Sequence, residues 1–152
     1  MAVSNVLLVS PEEAQRLLHT GYTYVDVRSE LEFALGRPPG ACNVPWQRAE
    51  GDRLVANPDF AIVMQSSFSI SEPLIIGCRS GSRSRAAAEC LCGLGFVHLA
   101  QLRHGFEGAR DAFGRRLPGW RESGLAIESG EPAAELSYAG LCARSRRASA
   151  GG

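Results

Sequence analysis

Residues 74–94 constrain the fold most, because an apolar run there leads directly into a loop of small residues and then a helix. The run at 74–76 is Leu-Ile-Ile and is typical of a central strand in a parallel sheet, which is buried on both faces. Residues 78–83 form the loop, and residues 84–94 carry helical spacing of apolar side chains. A strand that passes through a short loop into a helix is the repeating unit of an α/β domain.

The rest of the chain repeats this alternation. Apolar runs predict strands at residues 6–9, 22–27, 41–44, 74–76 and 96–102. Helices are predicted within residues 10–20, 29–35, 57–68 and 84–94, and the first two begin with Ser-x-x-Glu capping boxes at Ser10 and Ser29. Residues 47–56 are polar and are expected to be irregular. The order predicts a mostly parallel five-stranded sheet with helices on both faces.

Length and composition limit the number of domains and the classes of partner. The 152 residues suit one domain, which we place at residues 1–128. Ala, Ser, Gly and Arg dominate residues 129–152, so we expect a flexible tail there. Sixteen basic and sixteen acidic residues give zero net charge, which favours neither a nucleic-acid nor a membrane partner. The first residues lack the basic segment of a secretory signal, so we expect a cytoplasmic protein, with a processed precursor as the alternative.

The five cysteines do not form a recognisable framework of disulfides or metal ligands. They are an odd number, at positions 42, 78, 90, 92 and 142, which favours reduced thiols. Cys90 and Cys92 are two residues apart on a predicted helix, so they point to nearly opposite faces. We therefore expect no zinc site and no cofactor. Cys42 and Cys90 are interpreted as packing residues, and Cys142 as an exposed thiol of the tail, with a resolving thiol as the alternative.

Cys78 is the candidate nucleophile. In an open α/β sheet, ligands bind beyond the carboxyl ends of the strands, and Cys78 lies at such an end. Gly81 and the neighbouring serines allow backbone N–H groups to converge, and the helix N-terminus, Arg79 and Arg83 add positive charge. This environment favours the thiolate, and it would also stabilise a persulfide or bind an anionic donor such as thiosulfate. The alternative, a small buried packing residue, does not explain the flanking arginines.

Three segments in order carry a family resemblance. The loop is Cys-Arg-Ser-Gly-Ser-Arg-Ser at 78–84, and residues 26–45 contain Asp-Val-Arg, Glu-Phe and Pro-Gly-Ala-Cys-Asn-Val-Pro. Residues 102–108 read Leu-Arg-His-Gly-Phe-Glu-Gly, followed by Gly-Trp at 119–120. Together they resemble the rhodanese family over roughly residues 6–128. The resemblance implies a three-layer rhodanese-like fold and a sulfur carried on Cys78.

The resemblance also implies roles for the neighbouring residues. The sulfonate of thiosulfate would dock on Arg79 or Arg83. The loop backbone would hold the transferred sulfur through the N–H groups of Arg79, Ser80, Gly81, Ser82, Arg83 and Ser84. The hydroxyls of Ser82 and Ser84 are candidate donors, and the equal alternative for Ser84 is that it serves only as the helix N-cap. Arg28 is a possible pocket residue with Asp26, and we favour the alternative of an ion pair between Arg28 and Asp26 or Glu32.

The sequence departs from the family pattern at several positions, and these departures bear on the predicted chemistry. Arg37 replaces a usual His, where we expect a local structural change. His104-Gly105 replaces Gly-Gly, which could narrow the pocket entrance and change donor preference. Related phosphatases and arsenate reductases use a C-x5-R loop, but here the arginine falls at Arg83, one residue too early. The loop length therefore argues against phosphate chemistry.

Two functions remain. The first is an enzyme that moves sulfane sulfur from thiosulfate or a persulfide to cyanide or a thiol by double displacement through Cys78. The second is a sulfur-relay or regulatory module that takes sulfur from a protein donor, with Arg79, Arg83 and Arg85 as a docking surface. A catalytically inactive domain is disfavoured by the intact cysteine. The sequence is compatible with a monomer or a homodimer.

Overall fold

The computed structural model describes residues 6–150 of the chain. In chain order the elements are β1 (Leu7–Val9), α1 (Pro11–His19), β2 (Thr23–Asp26), α2 (Glu30–Leu35), β3 (Cys42–Asn43), β4 (Gln47–Glu50), β5 (Arg53–Ala56), α3 (Phe60–Ser67), β6 (Leu74–Gly77), α4 (Ser82–Gly93), β7 (Leu99–Leu102), β8 (Ala109–Arg110), β9 (Arg116–Leu117) and α5 (Tyr138–Ala150). Single 3-10 turns lie at Trp120–Glu122 and Ala134–Leu136.

The central sheet has five strands in the order β1-β7-β6-β2-β3, and every neighbouring pair is parallel. Tyr24 of β2 is in register with Ile75 of β6, and Val25 with Ile76. The predicted five-stranded α/β sheet is therefore confirmed. The last predicted strand is shorter than expected and begins at Leu99.

Successive side chains of each strand point to opposite faces of the sheet, so the core is divided into two layers. Val25 and Ile76 pack on one side, where α3, α4 and α5 contribute Phe60, Met64, Leu91 and Leu141. Tyr24 and Ile75 face the other side, where they meet Ala14 of α1, Phe33 of α2, Phe106 and Trp120. Helices on both faces make the three layers, as expected for strands that are buried on both sides.

The capping boxes begin α1 and α2 as the sequence predicts. The N–H of Glu13 donates to Ser10 Oγ over 3.1 Å, and the N–H of Ser10 donates to Glu13 Oε1 over 2.9 Å. Ser29 and Glu32 make the same reciprocal pair at the start of α2, with both distances 3.1 Å. Each pair satisfies N–H groups that a helix start leaves without partners.

Residues 47–56, expected to be irregular, form the antiparallel hairpin β4–β5. Gln47 pairs with Ala56, and Gly51 makes the turn with φ +67°. Seven of the eight strand residues are polar or lie largely in solvent, so the hairpin carries little of the apolar alternation by which a strand is recognised. The sequence feature that could have predicted the hairpin is the turn-forming pair Gly51-Asp52.

The segment from residue 129 differs from the flexible tail that we expected. Helix α5 packs on the α3 side of the core through Leu141, which is 2% exposed. Asn57 Nδ2 donates to the Tyr138 hydroxyl over 2.9 Å, and Ser145 Oγ lies 3.1 Å from Ser66 Oγ. Small and charged residues surround the apolar Tyr138, Leu141 and Cys142 along α5, so the sequence shows little apolar period. The boundary at residue 128 itself remains a prediction.

Candidate active site

Cys78 follows β6 directly and lies at the carboxyl edge of the sheet, as predicted. Its side chain is 1% exposed. The backbone N–H of Gly81 donates to Cys78 Sγ over 3.1 Å, and the Cys78 thiol donates to Ser84 Oγ over 3.4 Å. The chain therefore curls around the sulfur within six residues and presents a backbone donor to it.

Helix α4 begins earlier than the sequence suggested. It starts at Ser82 with Gly81 as its N-cap, so the interpretation of Ser84 as the N-cap is wrong. Ser84 instead lies fully buried in the first turn, where its Oγ donates to the Gly81 carbonyl over 3.0 Å. Its hydroxyl thus links the thiol of Cys78 to the backbone of the loop.

Gln101 of β7 was not singled out from the sequence. Its Nε2 donates to the Gly81 carbonyl over 3.0 Å and to Ser84 Oγ over 3.1 Å. Both contacts hold groups that touch the sulfur. The signal that could have found it is a polar residue near the carboxyl end of an otherwise apolar strand, Leu-Ala-Gln-Leu.

The loop arginines have different surroundings. Arg83 Nη1 and Nη2 donate to the two carboxylate oxygens of Glu32 over 2.8 and 3.1 Å. Arg85 Nε lies 3.7 Å from Glu89 in an exposed pair on α4. Arg79, Ser80 and Ser82 are exposed at the surface of the loop.

The sequence suggested Glu32 only as an ion-pair partner of Arg28. In the structure Glu32 forms its ion pair with Arg83 instead. Burial by itself would raise the Glu32 pKa, but hydrogen bonds from Arg83 and Ser29 outweigh this and lower the pKa to about 2. The carboxylate is therefore ionised at any physiological pH. The hydrogen bonds to Glu32 also hold the Arg83 side chain against α2.

Arg28 forms an ion pair with Asp26, as we favoured. Arg28 Nη2 lies 2.6 Å from Asp26 Oδ2, and the same nitrogen donates to the Gly36 carbonyl over 2.6 Å. Its guanidinium carbon lies 4.6 Å from the centre of the Phe106 ring. Both side chains are buried, so the pair holds the turn after β2 beside the Cys78 loop.

Residues 104–107, which follow β7, support the Cys78 loop through backbone hydrogen bonds. The N–H of Phe106 donates to the Cys78 carbonyl over 2.7 Å, and the N–H of Glu107 donates to the Arg79 carbonyl over 2.9 Å. A Cβ on Gly105 would lie 2.5 Å from the Arg79 carbonyl, so this position needs glycine. His104 precedes it with φ +63°, in the region that favours glycine.

Arg37 takes a structural position. It is 4% exposed, and its Nη1 donates to the Phe33 carbonyl over 3.0 Å and to the Gly130 carbonyl over 2.9 Å. Its backbone also pairs with Glu128 in an isolated bridge. Arg37 thus links the end of α2 to the segment that leads towards α5.

The five cysteines are all free. Cys42 is buried, which raises its pKa to about 12, and Cys90 is partly buried, which raises its pKa. Cys142 is half-buried on α5 rather than exposed. Within residues 6–150, no three His, Cys, Asp or Glu side chains converge as metal ligands. No helix in this described part is long and apolar enough to cross a membrane.

The sequence pattern of the rhodanese-like domain family matches residues 10–112, well over half of the chain. The chain belongs to this family. A protein of known structure, Rv0390 from M. tuberculosis, is 32% identical, with a TM-score of 0.67 over 81% of this chain and 97% of that one. The family and the fold expected from the three sequence segments are thereby confirmed.

Curated relatives of this rhodanese-like chain include sulfurtransferases by name. Thiosulfate sulfurtransferase 16, chloroplastic, from Arabidopsis thaliana is 37% identical over 80% of this chain and 92% of its own length. Thiosulfate sulfurtransferase GlpE from Ectopseudomonas mendocina is 32% identical over 69% of this chain and 85% of its own length. Senescence-associated protein DIN1 from Raphanus sativus is 37% identical over 76% of this chain, but the match spans only 57% of that protein.

Proposed function

We propose that this protein is a sulfurtransferase that carries sulfane sulfur as a persulfide on Cys78. The observation that carries the proposal is the Gly81 N–H directed at Cys78 Sγ over 3.1 Å. A backbone donor at the start of α4 favours a negative charge on sulfur, and a persulfide anion holds that charge one atom further out. The names of the Arabidopsis and Ectopseudomonas relatives support the same chemistry.

In the first half-reaction the Cys78 thiolate attacks the outer sulfur of thiosulfate. A sulfur–sulfur bond forms at Cys78, the sulfur–sulfur bond of thiosulfate breaks, and sulfite leaves with the electron pair. A persulfide donor reacts in the same way, with its thiolate as the leaving group. Because Cys78 is 1% exposed, the donor must present its sulfur as a projecting atom, which both classes can do.

In the second half-reaction an acceptor attacks the outer sulfur of the Cys78 persulfide. Cyanide leaves as thiocyanate, or a thiolate leaves as a new persulfide, and the Cys78 thiolate is restored. The backbone N–H groups of residues 79–84 would hold the sulfur in both halves, and exposed Arg79 is available to an anionic donor. The cytoplasmic location stays an expectation. It is not supported by the name of the Arabidopsis sulfurtransferase 16, which is chloroplastic.

The test is intact mass spectrometry after brief thiosulfate treatment, with and without cyanide. We expect a gain of one sulfur on Cys78 that cyanide removes. Cys78→Ser should take up no sulfur while its unfolding curve stays near that of the parent, and Cys90→Ser should behave like the parent. Sulfur uptake by Cys78→Ser, or no uptake by the parent from thiosulfate or a low-molecular-weight persulfide, would contradict the proposal.

A second candidate is a sulfur-relay module with a protein donor. Cys78 is buried, whereas Arg79 of the loop and Arg85 of α4 are exposed, which favours this candidate because a partner could dock on those charges. The kinetics separate the two. Ping-pong turnover with saturable thiosulfate supports the enzyme, whereas loading only by a persulfidated protein supports the relay.

A further inference from the structure

The ion pair between Arg83 and Glu32 occupies the one loop arginine that is partly buried. Glu32 accepts hydrogen bonds from both terminal nitrogens of Arg83, over 2.8 and 3.1 Å. Glu32 Oε1 also accepts from the backbone and hydroxyl of Ser29, each over 3.1 Å. The Arg83 and Glu32 side chains are 20% and 29% exposed, whereas those of the Arg85–Glu89 pair on α4 are 79% and 62% exposed, so the first pair is better shielded from solvent.

The net charge around Cys78 is therefore smaller than its three neighbouring arginines suggest. Arg83 is neutralised by Glu32, and Arg85 by Glu89. Among the residues that the structure describes, Arg79 is the loop arginine without an ion pair. Its side chain is exposed, where solvent and salt screen its charge.

Thiosulfate is poorly matched to this arrangement. Its sulfonate end would be held best by a guanidinium that offers two parallel N–H groups, and Nη1 and Nη2 of Arg83 each already donate one N–H to the Glu32 carboxylate. To use Arg83, the dianion must displace Glu32 or lie beside its negative charge. Both routes oppose binding of a doubly charged donor.

We propose that Glu32 is a specificity-determining residue that disfavours thiosulfate and directs Cys78 to organic persulfides. This inference rests on the proposed sulfurtransferase function. An organic persulfide carries its sulfane sulfur on a thiol rather than a sulfonate, so it requires no free guanidinium. Glu32 acts through Arg83 and through its own charge, without touching the transferred sulfur.

The transfer step balances without a further reagent. The Cys78 thiolate attacks the terminal sulfur of R–S–SH, a new sulfur–sulfur bond forms at Cys78, and the sulfur–sulfur bond of the donor breaks. The R–S⁻ thiolate leaves with the electron pair, and the proton stays on the transferred sulfur until it is lost to solvent. No sulfite is released and no dianion enters the site.

The experiment compares two donors in the parent and in Glu32→Gln, with cyanide as acceptor and thiocyanate as the measured product. Gln preserves the capping box with Ser29, so α2 keeps its N-terminus while the charge is lost. We expect kcat/KM for thiosulfate to rise at least fivefold, chiefly through a lower KM, and kcat/KM for cysteine persulfide to change less than twofold. Glu30→Gln, on the same helix but exposed, should leave both donors unchanged.

A second variant keeps the negative charge. Glu32→Asp should retain the poor use of thiosulfate, whereas an equal gain in Glu32→Asp and Glu32→Gln would overturn the charge argument. An unchanged or lower thiosulfate kcat/KM in Glu32→Gln, or a parallel change for both donors, would overturn the inference as well. Thermal unfolding of each variant shows that the kinetics refer to folded protein.

Failure of the inference can be told apart from failure of the proposed function. If neither donor places sulfur on Cys78 of the parent, the sulfurtransferase proposal fails. If Cys78 is loaded but Glu32→Gln does not shift the donor preference, only the role of Glu32 fails. Mass spectrometry of the sulfur-loaded parent makes this distinction before any kinetic comparison.

Discussion

The backbone N–H of Gly81 lies 3.1 Å from Cys78 Sγ, so the chain folds back onto the Cys78 sulfur three residues later. Gly81 reaches this position with φ +122°, which residues with a side chain rarely adopt. The contact therefore depends on backbone conformation. Space does not limit it, since the nearest atom to a Cβ at this position would be Gln101 Nε2 at 4.0 Å.

Gly81→Ala is expected to lower the rate of persulfide formation about tenfold or more, because a hydrogen bond to a charged sulfur contributes roughly 1.5–3 kcal/mol. The rate is followed by mass spectrometry of Cys78 at short times. Gly21→Ala is the matched control, with φ +110° and no atom within 4 Å of its Cβ. It should lose stability by about 1 kcal/mol without a change in rate. Equal rates in the two variants would remove the role of the Gly81 N–H.

Gln101→Met tests the contacts that hold the loop from β7. Met has a similar length but cannot donate to the Gly81 carbonyl or to Ser84 Oγ, so the loop around Cys78 should be less well placed. We expect kcat to fall by about tenfold, with stability lower by about 1 kcal/mol. Gln65→Met, at an exposed position of α3, should change neither quantity. A kcat equal to that of the parent would show that Gln101 is dispensable.

His104→Gly is expected to stabilise the fold by about 1 kcal/mol, because His104 has φ +63° and glycine adopts this conformation without steric cost. The change is measured as the midpoint of urea unfolding. His98→Gly serves as the comparison, since His98 is exposed and is not among the positive-φ residues. It should lower stability through the added freedom of the unfolded chain. A loss of stability in His104→Gly would mean that its imidazole makes a compensating contact.

Leu141→Ala tests whether α5 belongs to the core. Leu141 is 2% exposed among residues of the α3 side, so its truncation should cost about 2–4 kcal/mol. Arg147→Ala, on the exposed side of the same helix, should cost less than about 0.5 kcal/mol. Urea unfolding of the full chain measures both. A negligible effect of Leu141→Ala would return the segment to the flexible tail suggested by its composition.

Acid unfolding tests the ion pair between Glu32 and Arg83. The Glu32 pKa is lowered from 4.5 to about 2, so the unfolded state binds the proton more readily than the folded state. The stability that this pair contributes is present above pH 4.5 and is lost as the pH falls towards 2. Glu32→Gln should be less stable than the parent by about 1 kcal/mol at pH 7, and the difference should vanish near pH 2. A difference that is independent of pH would contradict this ionisation.

The strand and helix pattern was accessible from the sequence wherever burial imposes a period. Residues 74–76 are buried on both faces of a parallel sheet, and the capping boxes at Ser10 and Ser29 satisfy local N–H groups, so both signals are contained in a few consecutive residues. The polar hairpin β4–β5 and helix α5 were missed. The hairpin strands are mostly polar or exposed, and small and charged residues surround Leu141 on α5, so neither segment has a clear hydrophobic period.

The sequence by itself determined the family, the parallel sheet and the position of Cys78 at a strand end, because each depends on local chemistry and on order along the chain. Only the tertiary structure decided the partners of the site. Glu32 lies 51 residues from Arg83 and Gln101 lies 17 residues from Ser84, so each pair exists only after distant segments pack together. Which charged and hydrogen-bonding side chains become partners depends on this packing. Their positions along the sequence follow no regular spacing by which the pairs could be predicted.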